Sequence, residues 1–270
     1  GTISLGYTES NEAEYSALQN MENKFKIVVP FYNVEKWIKW CIRSVKSQTY
    51  TNYECYLVNY ISTDSTEETV LKEIADTDKF HLISNTEKKY ALKNIYDTLE
   101  STDTQNNEIV VILDGDDWLA GPEVLSRLNE IYNQEDCWMT YGSYAEYPSG
   151  VRGKFAQKIA NTVVENATYR QSDWMSSHLR TFRYQLWKHI KSEDFINPQT
   201  GKFVKAAWDL AFVFPMLEMA GPKAHYVSDI LYIYNRDNPL NEDKIDHSVQ
   251  LGEEAYVRQK EKYNRRESLR

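Results

Sequence analysis

Between residues 24 and 113 the apolar positions switch repeatedly between two spacings. Residues 25–29 form a short β-rich run ended by Pro30, after which Val34, Trp37, Ile38, Cys41, Ile42 and Val45 recur at helical spacing. Asn33 is the expected N-cap of that helix. Residues 53–58 predict a second strand, and 66–75 a second helix with Val70, Leu71 and Ile74 inward. A third strand at 81–84, a helix at 89–99 carrying Leu92, Ile95, Tyr96 and Leu99, and a fourth strand at 108–113 follow. Alternating β and α elements with short connections predict a parallel, doubly wound sheet with right-handed crossovers.

Past Asp117 the pattern loosens. Residues 119–132 predict a helix, 138–144 an extended segment and 147–153 a turn-rich loop. Residues 203–219 predict a largely buried helix interrupted by Pro215, and 224–234 a last strand or two. The expected organisation is a leader over 1–23, one domain over 24–250, and a charged helical tail over 251–270. No internal repeat divides the chain.

Charge narrows the partners. The chain has 270 residues with 31 basic against 40 acidic side chains, a net of -9, and its one basic pair of note is Arg265-Arg266. That balance argues against a nucleic-acid partner. Without a run of about eighteen apolar residues or a basic, apolar, small-residue start, no transmembrane segment is expected, and the expected location is cytoplasmic. Cys41, Cys55 and Cys137 are widely spaced among apolar neighbours, which predicts core thiols.

The densest chemistry is Asp114-Gly115-Asp116-Asp117-Trp118, directly after the apolar run Ile109-Val110-Val111-Ile112-Leu113. Such a run reads as a strand buried on both faces, and ligands of open α/β sheets bind beyond the carboxyl ends of strands. Asp-x-Asp supplies hard oxygen donors for a divalent cation that also holds a diphosphate. The competing use is an exposed acidic turn before a helix near Pro122.

Five segments then carry a resemblance: Val28-Val29-Pro30-Phe31-Tyr32-Asn33-Val34-Glu35, Ser44-Val45-Lys46-Ser47-Gln48-Thr49-Tyr50, Ser62-Thr63-Asp64-Ser65-Thr66, Lys93-Asn94, and Leu113-Asp114-Gly115-Asp116-Asp117-Trp118. In this order the chain resembles the inverting nucleotide-sugar glycosyltransferases of family 2, closely over 25–120 and more loosely through Trp208-Asp209 and Tyr232-Ile233-Tyr234-Asn235. The resemblance implies the GT-A fold: a Rossmann-like nucleotide-binding, doubly wound α/β sheet, mostly parallel, with flanking helices. A nucleotide-sugar half over 24–120 and an acceptor-side half over 121–250 go with it.

The resemblance also implies roles. Pro30 and Tyr32 lie along uracil and ribose, Glu35 approaches the nucleotide, Lys93 faces the diphosphate, and Asp114 with Gly115 meets the ribose. Asp116 is the implied ligand of Mn²⁺ or Mg²⁺, Asp117 supports it, and His247, ahead of His225 and Arg236, competes for a further metal or diphosphate contact. Inversion requires a base for the acceptor hydroxyl, and Asp209 matches it. Trp208 and Trp118 are the implied acceptor contacts, with the polar segment Ser176-Ser177-His178-Leu179-Arg180 as a further candidate. The expected partners are a UDP-linked donor and a glycan or other hydroxyl acceptor. Each position also has a plainer use: a helix cap for Asn33, Glu35 or Asp209, a solvated face for Lys93, core for Trp208.

One departure stands out. Where the family has an aspartate pair ending the second strand, this chain has Asn59-Tyr60. Asn59 keeps an acceptor and a donor for a uracil edge. Tyr60 has three open uses: filling space, stacking on the base, or obstructing the pocket. Tyr90 likewise replaces a small residue. The rival to an enzyme is therefore a non-catalytic nucleotide-sugar or glycan-binding domain on the same fold.

Overall fold

The computed structural model describes residues 21–134, 136–240 and 247–270, the last range without the side chain of His247. Residues 1–20 of the expected leader lie outside the described residues. At its end Asn23 is buried and donates through Nδ2 to Asn129 at 2.8 Å and Asn133 at 2.9 Å.

Among the described residues eight strands form one sheet in the order β3-β2-β1-β4-β7-β6-β10-β5. They are β1 (Phe25–Phe31), β2 (Tyr53–Asn59), β3 (Phe80–Ser84), β4 (Ile109–Ile112), β5 (Trp118–Leu119), β6 (Met139–Tyr147), β7 (Thr181–Arg183) and β10 (Ala224–Asn235). A separate hairpin joins β8 (Ile196–Asn197) to β9 (Lys202–Phe203). The first four strands are parallel, β7 is antiparallel to β4 and β6, and β5 is antiparallel to β10, giving the mostly parallel α/β sheet that was expected.

Helices cover both faces: α1 (Ile38–Lys46), α2 (Thr66–Ile74), α3 (Tyr90–Ser101), α4 (Val124–Gln134), α5 (Asn161–Asn166), α6 (Tyr184–Trp187), α7 (Trp208–Ala220) and α8 (His247–Gln259). The two-residue period of β1 and β4 explains the layering. Phe25, Ile27, Val29, Ile109 and Val111 pack with Ile38, Cys41 and Val45 of α1, whereas Val28, Val110 and Ile112 pack with Leu92 and Ile95 of α3. All three cysteines are buried and free. No described helix is long and apolar enough to cross a membrane.

Several local expectations are corrected. Pro30 does not end β1; it stands opposite Val58 of β2, while pairing with β4 stops at Val28 opposite Ile112, so no ladder requires its missing N–H on that side. Asn33 is no N-cap: at φ 48° it turns the chain, accepts from the Thr63 N–H at 2.8 Å and ties the β1 loop to the β2 loop. Asn tolerates this left-handed conformation better than most residues. Leu71 is exposed, and Val70 with Thr66 is what α2 buries. The expected helix over 119–132 starts only at Val124, because Trp118 and Leu119 pair with Ile233 and Tyr232. The tail is helical only to Gln259; beyond it Arg266 N–H bonds the Met219 carbonyl at 2.9 Å, drawing the last residues onto α7.

Candidate active site

The C-terminal ends of β1 and β4 open into a cavity of about 230 Å³. Pro30 links its walls: its carbonyl accepts the Gly115 N–H at 3.2 Å, fixing the acidic loop against the end of β1. Asp114, Asp116 and Asp117 line it together with Tyr32, Tyr60, His178, Arg180, Trp208 and Asp209.

The three carboxylates do different things. Asp117 is fully buried, and it accepts from the Tyr232 hydroxyl at 2.5 Å and from the Asn235 N–H at 2.8 Å. Burial, then the charges of Asp116 and Asp114, push its carboxyl well above the usual range against those two hydrogen bonds. Each of its oxygens takes one of these bonds, which ties the acidic loop to β10. Asp116 is partly exposed and accepts from Asn238 Nδ2 at 2.9 Å. Burial, and next the charge of Asp116, raise the Asp114 carboxyl to about 7, with Arg180 acting in the opposite direction.

In the same cavity Arg180 Nη1 donates to Asp209 Oδ2 at 2.6 Å, and the Leu210 N–H donates to Asp209 Oδ1 at 3.1 Å. Arg180 Nη2 lies 3.2 Å from His178 Nδ1. The His178 ring stacks on Tyr232 with centroids 4.3 Å apart, and burial followed by the Arg180 charge lowers its pKa well below the ordinary histidine value. A neutral ring can accept a hydrogen bond from the Arg180 guanidinium. Asp209 is thus held at both oxygens in the first turn of α7.

The structure brings Pro30, Tyr32, Asp114, Gly115, Asp116, Asp117, Trp208 and Asp209 around one cavity. Other expected residues point elsewhere. Glu35 is exposed and accepts the Ser65 N–H at 2.9 Å, next to the start of α2, instead of facing the cavity. Asn59 is buried outside the lining, with Oδ1 on the Ser62 N–H at 2.9 Å, so a turn occupies the acceptor expected to read a base edge. Lys93 pairs with Asp97 at 2.8 Å one helical turn away and lies over Phe203. Trp118 packs edge-on against Trp40 at 5.3 Å and Tyr147 at 5.1 Å, away from the lining. His225 lies within β10, and Arg236 over the Tyr234 ring. The His247 side chain lies outside the described residues.

Sequence reasoning did not single out Asn238, Leu240 and Gln250, which also line the cavity. They follow the sheet in the chain and have no motif spacing of their own. Tyr60 does reach the lining, its ring stacked on Tyr32 with centroids 5.5 Å apart and planes at 16°.

A mostly parallel sheet whose strand ends present an acidic loop, with an Arg-held carboxylate in the same cavity, is the arrangement expected of a GT-A glycosyltransferase. The family model described as "Glycosyl transferase family 2" matches residues 26–210, and the chain belongs to that family. Among curated relatives, Glycosyltransferase GlyA of Streptococcus pneumoniae is 34% identical over 100 residues, 37% of this chain and 14% of GlyA. Glycosyltransferase GlyG of the same organism is 22% identical over 227 residues, 80% of this chain and 72% of GlyG. Among solved structures, S. aureus TarS 1-349 in complex with UDP-GlcNAc aligns with TM-score 0.61 at 17% identity, covering 80% of this chain and 59% of that one. Glucosyl-3-phosphoglycerate synthase from Mycobacterium tuberculosis, in complex with Mn2+, UDP and glucosyl-3-phosphoglycerate, aligns with TM-score 0.54 at 15% identity over 90% of this chain and 81% of that one. The chain therefore spans a small part of GlyA and just over half of the TarS fragment.

Proposed function

We propose that the chain transfers a hexose-type sugar from a UDP-linked donor to a hydroxyl acceptor with inversion at the anomeric carbon, assisted by Mn²⁺ or Mg²⁺. The observation that carries this reading is the placement of Asp209 in the same cavity as Asp114 and Asp116. The acidic loop suits the donor's cation and diphosphate, and Asp209 supplies a base in the same cavity. The complexes of TarS with UDP-GlcNAc and of the synthase with Mn2+ and UDP add support.

Among the described residues no three His, Cys, Asp or Glu side chains form a cage for a metal. The donor set fits a cation shared with substrate, since a magnesium-type ion is commonly held by one or two carboxylates plus phosphate oxygens. Asp116 would hold it, and Asp114, kept protonatable near neutrality by burial and by Asp116, gains from the added positive charge. Such an ion stabilises negative charge on the departing nucleoside diphosphate.

The remaining work falls to side chains. Tyr32 and Tyr60 offer a flat aromatic wall for the base. The acceptor hydroxyl enters from the Trp208 side and passes its proton to Asp209, whose orientation is set by Arg180 and the Leu210 N–H. Arg180 in turn is steadied by the neutral His178 ring.

Incubation with a panel of UDP- and GDP-linked sugars, with Mn²⁺, Mg²⁺ or chelator, tests the reading through release of nucleoside diphosphate. Release of UDP from at least one UDP-sugar, abolished by chelator, is expected. Release from GDP-sugars alone overturns the UDP assignment, and chelator-resistant release overturns the metal. Binding without release from any donor favours a non-catalytic nucleotide-sugar-binding domain.

A further inference from the structure

Glu253 of α8 reaches across to the segment that leads into Asp209. Its Oε1 accepts the Ala206 N–H at 2.7 Å and the Lys205 N–H at 3.2 Å. Oε2 accepts the same Lys205 N–H at 3.2 Å and Asn197 Nδ2 at 3.4 Å. The side chain is buried, with the residue 7% exposed, so these amides are a large part of what satisfies its oxygens. Charge-assisted bonds of this kind are roughly twice as strong as neutral ones.

The segment it grips is under tension. Ala207, between the gripped amides and Trp208, has φ 47° and ψ 29°. An L-residue in this left-handed region costs roughly 1–2 kcal/mol and persists where its surroundings over-determine it. Upstream, Val204 is fixed by its N–H on the Phe195 carbonyl at 2.8 Å. Downstream, Trp208 and Asp209 open α7 and face the cavity. From the same helix as Glu253, and one turn before it, Gln250 lines that cavity.

We propose that Glu253 is a positioning residue for transfer: its carboxylate holds the backbone of residues 205 and 206 so that α7 starts where Asp209 meets Arg180 and the acceptor. The proposal rests on Asp209 acting as the base. It makes α8 part of the acceptor half of the site, although the helix lies beyond the residues matched by the family model.

Glu253→Ala removes the grip and Glu253→Gln retains one acceptor oxygen, and both are compared in the full chain. A displacement of about 1 Å remote from the chemistry can cost 10²-fold in rate. Turnover is expected to fall on the order of 10²-fold in Glu253→Ala and on the order of 10-fold in Glu253→Gln, with UDP affinity within about twofold of the parent in both. In an Asp209→Asn background, Glu253→Ala should cost no further turnover, because both changes act through one group. Losses that multiply in that background, or turnover unchanged by Glu253→Ala, overturn the proposal. Should Glu253→Ala fail to fold, Glu253→Gln carries the comparison. Hydrogen exchange of the Lys205 and Ala206 amides in the parent provides a separate check: slow exchange is expected, and exchange at free-loop rates refutes the grip. If Asp209→Asn alone leaves turnover intact, the base assignment has failed, whatever Glu253 does.

Discussion

The Tyr232 hydroxyl donates to Asp117 Oδ2 at 2.5 Å, joining the last long strand to the acidic loop through a bond buried at both ends. On the proposed reading Asp117 serves the fold and its neighbour Asp116 serves the donor's cation. Asp117→Ala leaves a buried tyrosine hydroxyl without this acceptor and removes one from the Asn235 N–H, each loss costing about 1–3 kcal/mol. Urea denaturation should register that loss. Asp116→Ala, at a partly exposed carboxylate, should leave the unfolding midpoint nearly unchanged while abolishing Mn²⁺-dependent UDP binding by calorimetry. Equal effects of the two substitutions on stability would contradict this division.

Asp209→Asn keeps the shape of the side chain and an oxygen for Arg180 but removes the ability to accept a proton. Turnover is expected to fall by roughly 10²-fold or more, with UDP affinity little changed. Arg180→Met leaves Asp209 anchored by the Leu210 N–H alone, and turnover should fall with it. Steady-state kinetics beside UDP titration separate these outcomes: if UDP affinity collapses in Asp209→Asn, the residue belongs to the donor site.

Strand periodicity and the acidic motif were readable because each is local. Alternation in β1 and β4 assigns side chains to the two sheet faces, and Asp114 to Asp117 follow a buried strand whose end the topology turns into a site. What escaped depends on partners far away in the chain. Trp118 turns outward because it pairs with Ile233 of β10, and no pattern near residue 118 encodes that register. Lys93 and Glu35 were read by motif position, yet Asp97 and the Ser65 amide capture them. Arg180 was visible only as a member of a polar cluster, while its pairing with Asp209 belongs to the folded chain.

The Arg170 and Glu218 side chains form a two-bond ion pair, at 3.0 and 2.7 Å, with side-chain exposures of 3% and 0%. Arg170 also donates to the Val257 carbonyl at 3.0 Å, and Glu218 accepts the Tyr263 N–H at 3.2 Å, so the pair fastens α8 and the final segment to α7. Breaking it from one side strands a buried charge. Arg170→Ala should destabilise the chain by about 3–5 kcal/mol, whereas paired replacement by Met and Leu should cost less. Denaturation curves of the single and double variants decide it, and a double variant no more stable than Arg170→Ala would contradict the desolvation argument.

On the proposed reading, Tyr60 is the residue that tests how a donor base is held. Its ring stacks on Tyr32 and both reach the cavity, whereas Asn59 spends its side-chain oxygen on the Ser62 N–H. The proposed reading therefore predicts base recognition by stacking more than by a polar edge, and base stacking on an aromatic ring is worth about 1–3 kcal/mol by alanine substitution. Tyr60→Ala should weaken UDP binding by that amount, and Tyr60→Phe, which keeps the ring, should retain most of it. Asn59→Ala should lower stability while leaving UDP affinity close to that of the parent. Calorimetric titration with UDP, set beside uridine alone, measures each. Tighter binding in Tyr60→Ala would mean that Tyr60 covers the face of Tyr32 that the base requires, making it an obstruction and favouring a domain that has lost its donor over an adapted enzyme.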